Sequence, residues 1–480
     1  MSLSTLSLLA TASLAAATSF AARYPSAALE TVDVVVVGGG SAGTNAAIYF
    51  KDEGLSLLLV EKQDRLGGMV NSWTDPDTGV TYDYGVATYT NQTGTTAYLD
   101  RLGVAYDVPS EGSFTSYYAD FSTGETVDYV SPSIDGEIAA LETYYNVSSQ
   151  YADLFLPSYA NWPAGDAIPE DLTMSFRDFA IKYDLNDTML LIWAGIGAGM
   201  ADMLDAPTIY LMQTFGPQTA AVFLGTDVQY HASSGRNQDF YDAAEEILCD
   251  SVLLNSVVVE SIRLEDNLGV ELLVHNSETD EYTIILAERL VMAIEPTESN
   301  MAAFDLDETE EAIFDVATWS VVNTGIISHP SLPVDGLLYN LPATAVDGDD
   351  FALPEPPFVD YFEYIGEGLW QVIVVGWEGF ASETAQEMVS EAIETLAAAG
   401  TIPATNGTAV TFKAWSNHGA MDMRVTADKL KDGYITDQYA LQGHRSTYWT
   451  GAAFSNQLST FLWAYNLEYL VPLVLDSLKA

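Results

Sequence analysis

The period of the hydrophobic pattern changes several times along the chain, and each change predicts an element. Residues 33–37 end in four consecutive valines and read as a buried strand. Residues 41–52 carry Ala46, Ala47, Ile48 and Phe50 and read as a helix, and residues 55–60 are a second apolar strand. Both strands are continuous rather than alternating, as a parallel sheet covered on both faces requires. Sequence rich in turns and tyrosine follows over 72–132, then predominantly helical pattern over 170–223. A β-rich stretch over 251–295 reads as a hairpin-like layer that returns to the parallel sheet. A second β region spans 323–379. One helix follows: Thr384 and Glu387 predict a capping box, Val389, Ile393 and Leu396 a buried stripe, and Gly400 its stop. The two β-rich pieces are separated, so the pattern predicts an α/β protein of two interleaved domains.

Charge narrows the function classes. Among 480 residues, 68 are Asp or Glu and 16 are Lys or Arg, a formal charge of −52. Such a surface repels nucleic acid and anionic membranes. Residues 1–22, short, apolar and rich in small residues, predict a secretory signal cleaved near Arg23 rather than a membrane span. Sequons at Asn91, Asn146, Asn186 and Asn406 permit glycosylation of an exported chain. Cys249 is the only cysteine, so no intramolecular disulfide forms, and its place at the end of a helical pattern predicts a core position.

Gly38, Gly40 and Gly43 form G-x-G-x-x-G between the first strand and the helix. The first glycine permits the tight turn. The second lets the backbone approach a pyrophosphate, with Ser41 opening the helix whose N-terminus favours an anion. The third lets helix and strand pack closely. Glu61 ends the second strand, about 20 residues on, where a carboxylate accepts ribose hydroxyl hydrogen bonds and disfavours a 2′-phosphate. Together these predict a bound dinucleotide. No second fingerprint has the required spacing and strand-to-helix context.

Directly after Glu61 comes "KQDRLGGMV", with Lys62, Arg65, the doublet Gly67–Gly68, and Met69. With "TYDYGV", "NTGII", "WSNHG" and "YALQGHRSTYWTGAAF", this resembles the flavin-containing amine oxidoreductase superfamily, and within it the fungal β-cyclopiazonate dehydrogenase branch. The resemblance implies FAD, with a Rossmann-type FAD-binding domain from 32–95, 232–322 and 411–475 and a substrate domain from 96–231 and 323–410. It implies cofactor contacts at Arg65, Gly67, Gly68 and Met69, an adenine contact at Val259, and a helix N-terminus at Gly451 and Ala452 facing the flavin. Met69 stands where a histidine would have offered a covalent link. The implied activity is removal of hydride from a small molecule, often in secondary metabolism and sometimes with ring closure, and reoxidation by oxygen.

Three side chains are candidates for handling the proton: His418 in "WSNHG", Lys413 and Tyr448. His444 and Arg445 are expected to order the flavin or its loop, and no metal-ligand cluster stands out among five histidines. Arg177, Arg263 and Arg289 read as surface or strand-edge charges. That leaves no cation for an amino-acid carboxylate, so an apolar substrate fits better than a zwitterion. A secreted amine or amino-acid oxidase and a non-catalytic flavin- or ligand-binding protein remain the alternatives. Glycines at 195, 197 and 199, with Met189, Met200, Met203 and Met212, predict a thin, adaptable wall for an apolar pocket.

Overall fold

A computed structural model describes residues 20–109, 115–347 and 351–479. The predicted strand–helix–strand unit is present as Ala28–Val37, Ser41–Asp52 and Leu57–Val60. Val34–Val36 and Leu59 are fully buried, which is why neither strand alternates. Strand Ala28–Val37 lies between Leu57–Val60 and Glu281–Met292, parallel to both. Val252–Leu253 extends the parallel set beside Leu57–Val60. The long strand Glu281–Met292 serves two layers. Its first part pairs antiparallel with Val270–Asn276, which pairs in turn with Ser256–Arg263. Its last residues pair in parallel with Thr447–Trp449, from the far end of the chain. The ends of Ala28–Val37, Leu57–Val60 and Glu281–Met292 therefore meet along one rim, the usual location of a ligand crevice in such sheets.

The second sheet runs in the order Thr411–Arg424, Thr318–Ser328, Leu369–Trp377, Phe358–Gly366, Leu337–Asn340, Ser116–Ala119. All its pairs are antiparallel except the last. Thr411–Arg424, expected with the dinucleotide domain, thus belongs to the second sheet through Thr318–Ser328. Helix Ser382–Ala399 covers this sheet with Ala385, Val389, Ala392, Ile393 and Leu396, and Gly400 ends it. It starts before the expected capping box: its N-cap is Ala381, and no side chain caps it.

Three other expectations are corrected. Cys249 is exposed, because helix Gln238–Leu248 ends one residue earlier and the chain turns with φ 53° there. Arg263 does stand on an edge strand, Ser256–Arg263, but it is buried there, its guanidinium bridging Glu310 and Asp305. The glycine-spaced segment is a short helix, Met189–Gly195, followed by a 3-10 turn, Gly197–Met200. Met189, Met200, Met203 and Met212 are buried in the main core, and a Cβ on Gly197 would lie 2.2 Å from the Met203 sulfur. The space beside Gly197 is therefore filled by its own neighbours, and the segment is core rather than a pocket wall.

The predicted leader lies mostly outside the described residues. Of it, Phe20 is fully buried against Leu273 and Ile284. Arg23 lies over the Phe20 ring and pairs with Glu260. Among the described residues, no helix is long and apolar enough to cross a membrane.

Candidate active site

A cleft of about 520 Å³ opens between the rim of the parallel sheet and the second sheet. Gly38, Gly40 and Ser41 form one wall, and Gly67, Gly68 and Met69 face them. The glycines act through close approach. A Cβ on Gly43 would sit 1.9 Å from the Gly38 carbonyl oxygen, so the helix lies directly on the turn. Gly43 itself does not line the cleft. At Gly40 a Cβ would meet only the Gly68 Cα, at 3.9 Å. Gly68 is held at φ 56°, and a Cβ there would lie 2.9 Å from the Gly40 Cα. Two bare backbones thus face one another across the groove, which is the shape a diphosphate requires.

Glu61 and Lys62 line the same end. One Glu61 oxygen accepts the Gly39 N–H at 2.6 Å and the other the Gln63 N–H at 2.8 Å. These bonds fix the carboxylate at the strand end, where lone pairs remain for ribose hydroxyls. Helix Ser459–Tyr465 closes the groove from behind. The Trp463 indole N–H donates to Ser41 Oγ at 2.9 Å, and the Asn466 amide donates to the Ala42 carbonyl at 2.8 Å.

Arg65 does not line the cleft. Its guanidinium sits behind the glycine doublet and donates to the Val70 carbonyl (2.8 Å), Gln238 Oε1 (2.7 Å) and Asn71 Oδ1 (2.8 Å). That last bond sets the chemistry of His418. Arginine only donates, so Asn71 presents its oxygen to Arg65 and its amide N–H groups elsewhere. One goes to the Met69 carbonyl and one to His418 Nε2, both at 3.1 Å. Nε2 is therefore an acceptor and the proton resides on Nδ1. Burial, with the Arg65 charge nearby, pushes the His418 pKa down to about 4. His418 lines the cleft as a neutral imidazole, a hydrogen-bond donor rather than a base.

The other proton candidates lie elsewhere. Lys413 is exposed on strand Thr411–Arg424 and does not line the cleft. Tyr448 is buried in the parallel sheet, close to Gly443, and is also outside the cleft. Val259 lies at a bulge in Ser256–Arg263, 40% exposed and away from the cleft lining. His444 and Arg445 pair with Asp307 and Asp305 rather than reaching the cleft. Asp307, Glu310 and His444 come close enough together to hold a metal. Their carboxylates are already engaged, Glu310 by Arg263 and Asp307 by His444 and its own helix N-terminus.

Gly451 and Ala452 do line the cleft, but they open a single 3-10 turn, Ala452–Phe454, and the helix proper starts at Ser459. The expected helix dipole is absent there, and the Ala452 and Ala453 amides face Glu295 instead. Glu295, Asn71, Glu378 and Phe380 are site residues that sequence reasoning missed. Glu295 stands just past the end of strand Glu281–Met292, after Ala293 and Ile294, and a polar residue near that end of such a strand is a usable signal.

Residues 36–102 match the NAD(P)-binding Rossmann-like domain family. The FAD-dependent oxidoreductase pigF of Monascus ruber is 30% identical over 450 residues, 93% of this chain and 92% of that one. The chain belongs to this family of FAD-dependent oxidoreductases. Its members include the β-cyclopiazonate dehydrogenase of Aspergillus oryzae, 29% identical over 91% of this chain and 92% of that protein. Among solved structures, a CLA-producing fatty acid isomerase from P. acnes superposes with a TM-score of 0.66 at 16% identity, covering 92% of this chain and 98% of that one. Putrescine oxidase bound to putrescine gives 0.62 at 16% identity, over 94% of this chain and all of that one. These establish the fold. The cofactor is FAD, and the bare-backbone groove with Glu61 at its end fits that molecule's diphosphate and ribose.

Proposed function

We propose that this FAD-dependent oxidoreductase takes a hydride from a small, neutral, largely apolar molecule of the fungal secondary-metabolite type. Bound FAD supplies the hydride acceptor, and oxygen serves to reoxidise it. The observation that carries this reading is the character of the cleft beyond the glycines. Val86, Val321, Phe380 and Met69 line it, and among the described residues the only cation in its lining is Lys62, next to Glu61. A substrate carboxylate finds no guanidinium there. His418, neutral and protonated on Nδ1, offers one donor to a carbonyl or hydroxyl oxygen beside the reacting C–H bond. Loss of hydride leaves an electrophilic carbon, and ring closure follows where the substrate carries its own nucleophile within reach. That nucleophile forms the new bond and gives up its proton.

Homology to the β-cyclopiazonate dehydrogenase of Aspergillus oryzae supports a small-molecule substrate of fungal origin. Residues 1–22 support a secretory destination. The discriminating experiment is anaerobic mixing of the holoprotein with neutral apolar compounds, primary amines and amino acids, followed by flavin absorbance. Neutral compounds are expected to bleach the flavin. Bleaching by amino acids or amines alone would overturn the reading in favour of an amine or amino-acid oxidase.

A further inference from the structure

Strand Val270–Asn276 sends Val270, Leu272 and Val274 into the main core and turns Glu271 and Leu273 to its other face. On that face Ile262 and Leu286 stand in register beside Glu271, and Ile284 beside Leu273. Phe20, Tyr24 and Ala27 pack onto this apolar bed. Glu271 is fully buried in it, and neither of its carboxyl oxygens has a hydrogen-bond partner. A buried acid left with two bare oxygens is costly in a finished fold.

The surroundings show what is missing. The backbone N–H of Phe20 faces the Glu271 carboxyl group, one neutral donor for two oxygens. Glu260, on Ser256–Arg263, adds a negative charge nearby, and Arg23 is already paired with Glu260. Tyr24 and Tyr282 pack together on the same face and bring no charge. Burial and the Glu260 charge push the Glu271 pKa up to about 7, against the pull of the Phe20 amide. A cation at the position of the Phe20 nitrogen would satisfy both oxygens, and a chain terminus there is such a cation. An α-ammonium carries three N–H donors and is charged at neutral pH. The sequence allows a terminus at this residue: Ala17 and Ser19 are small residues three and one positions before Phe20, the spacing a leader peptidase reads.

We propose that export makes Phe20 the first residue of the mature chain and that its α-ammonium pairs with Glu271. A leader peptidase adds water across the Ser19–Phe20 bond, leaving a carboxylate on Ser19 and the ammonium on Phe20. The uncleaved chain has a neutral amide at that place and an unpaired acid beneath it, so removal of the leader completes this side of the sheet. The proposal rests on the secretory reading of the leader and is independent of cofactor and substrate.

The test is secretion of the full chain from a fungal host, with intact mass and N-terminal sequencing of the product. The exported protein is expected to begin at Phe20. Its α-amino group should resist reductive methylation while the protein is folded and react fully once it is denatured. Two altered chains separate the ion pair from packing of the Phe20 ring. A chain released from a removable fusion so that it starts at Ser19 keeps the ring and displaces the charge. Glu271→Gln keeps the shape and loses the charge. Each should lower the Tm of the mature protein, and together they should lower it by less than the sum of the two. Export with any other first residue, a folded-state amine that reacts as fast as a free terminus, or strictly additive losses would overturn the proposal while leaving export itself intact. Protein that stays in the cell with Met1 in place would overturn it together with the secretory reading.

Discussion

Replacing Gly40 with alanine separates cofactor binding from folding, because the two make different demands on that position. The Gly40 backbone has φ −70° and ψ −171°, an extended conformation open to any residue. Its added Cβ would have the Gly68 Cα at 3.9 Å as its one neighbour, which is ordinary contact. The apoprotein should therefore keep its stability, or gain about 0.4–1 kcal/mol from a stiffer unfolded chain. FAD has no such freedom, since the new methyl projects into the groove between the two glycine backbones. Forcing a methyl into filled space costs about 1–3 kcal/mol, which weakens Kd about 5- to 150-fold. Equilibrium dilution gives the Kd, and thermal unfolding of the flavin-free protein gives the stability. Gly43→Ala is the control: its Cβ would fall 1.9 Å from the Gly38 carbonyl oxygen, so the fold itself should suffer. Wild-type FAD affinity in Gly40→Ala, or a destabilised apoprotein, would refute the reasoning.

Three further outcomes are expected. With a folded-state pKa of about 4 against 6.5 unfolded, neutral His418 contributes stability that is fully present above pH 6.5 and is lost as pH falls from 6.5 towards 4, where the unfolded chain binds the extra proton. The Tm should drop over that window, and less steeply in His418→Asn; equal slopes would exclude His418 as the cause. Lys413→Ala should leave turnover and flavin content unchanged in steady-state assays, since Lys413 is exposed and outside the cleft, and a large loss of turnover would return it to the site. Exported protein should start at or before Phe20 rather than at Arg23, because removing fully buried Phe20 opens a cavity costing about 3–5 kcal/mol; N-terminal sequencing that finds Arg23 first would contradict this.

Legibility in the sequence followed the range of the interaction. The strand–helix–strand unit was readable because its signals are local: apolar runs, three glycines and Glu61 within one short stretch. The same holds for the buried stripe Val389, Ile393 and Leu396. Partnership between distant segments was not readable. Nothing in the pattern of Thr411–Arg424 says that it pairs with Thr318–Ser328 rather than with the parallel sheet. The glycine-spaced segment is apolar on every side, and a core helix and a cavity wall then look alike. The Met203 sulfur beside Gly197 decides between them. The protonation of His418 depends on a relay from Arg65 through Asn71, in which the last step spans most of the chain. Arg65 stands beside the glycine doublet in the sequence, but its side chain points behind the doublet and orders it through carbonyls.

The cofactor groove is assembled from Gly38–Gly68, from Ala293–Asn300 and from Gly451–Leu462. A ribosome therefore delivers its first wall long before its last. At about 5–20 residues per second, roughly 20–80 s separate Glu61 from Gly451. Throughout that interval the nascent chain has the fingerprint glycines but no groove. Strand Ala28–Val37 also waits for its neighbour Glu281–Met292 with an apolar edge uncovered. The groove is accordingly complete only once Gly451–Leu462 has been made. A message truncated between Glu61 and Gly451 yields a polypeptide that carries the dinucleotide signature yet lacks the wall that closes its site.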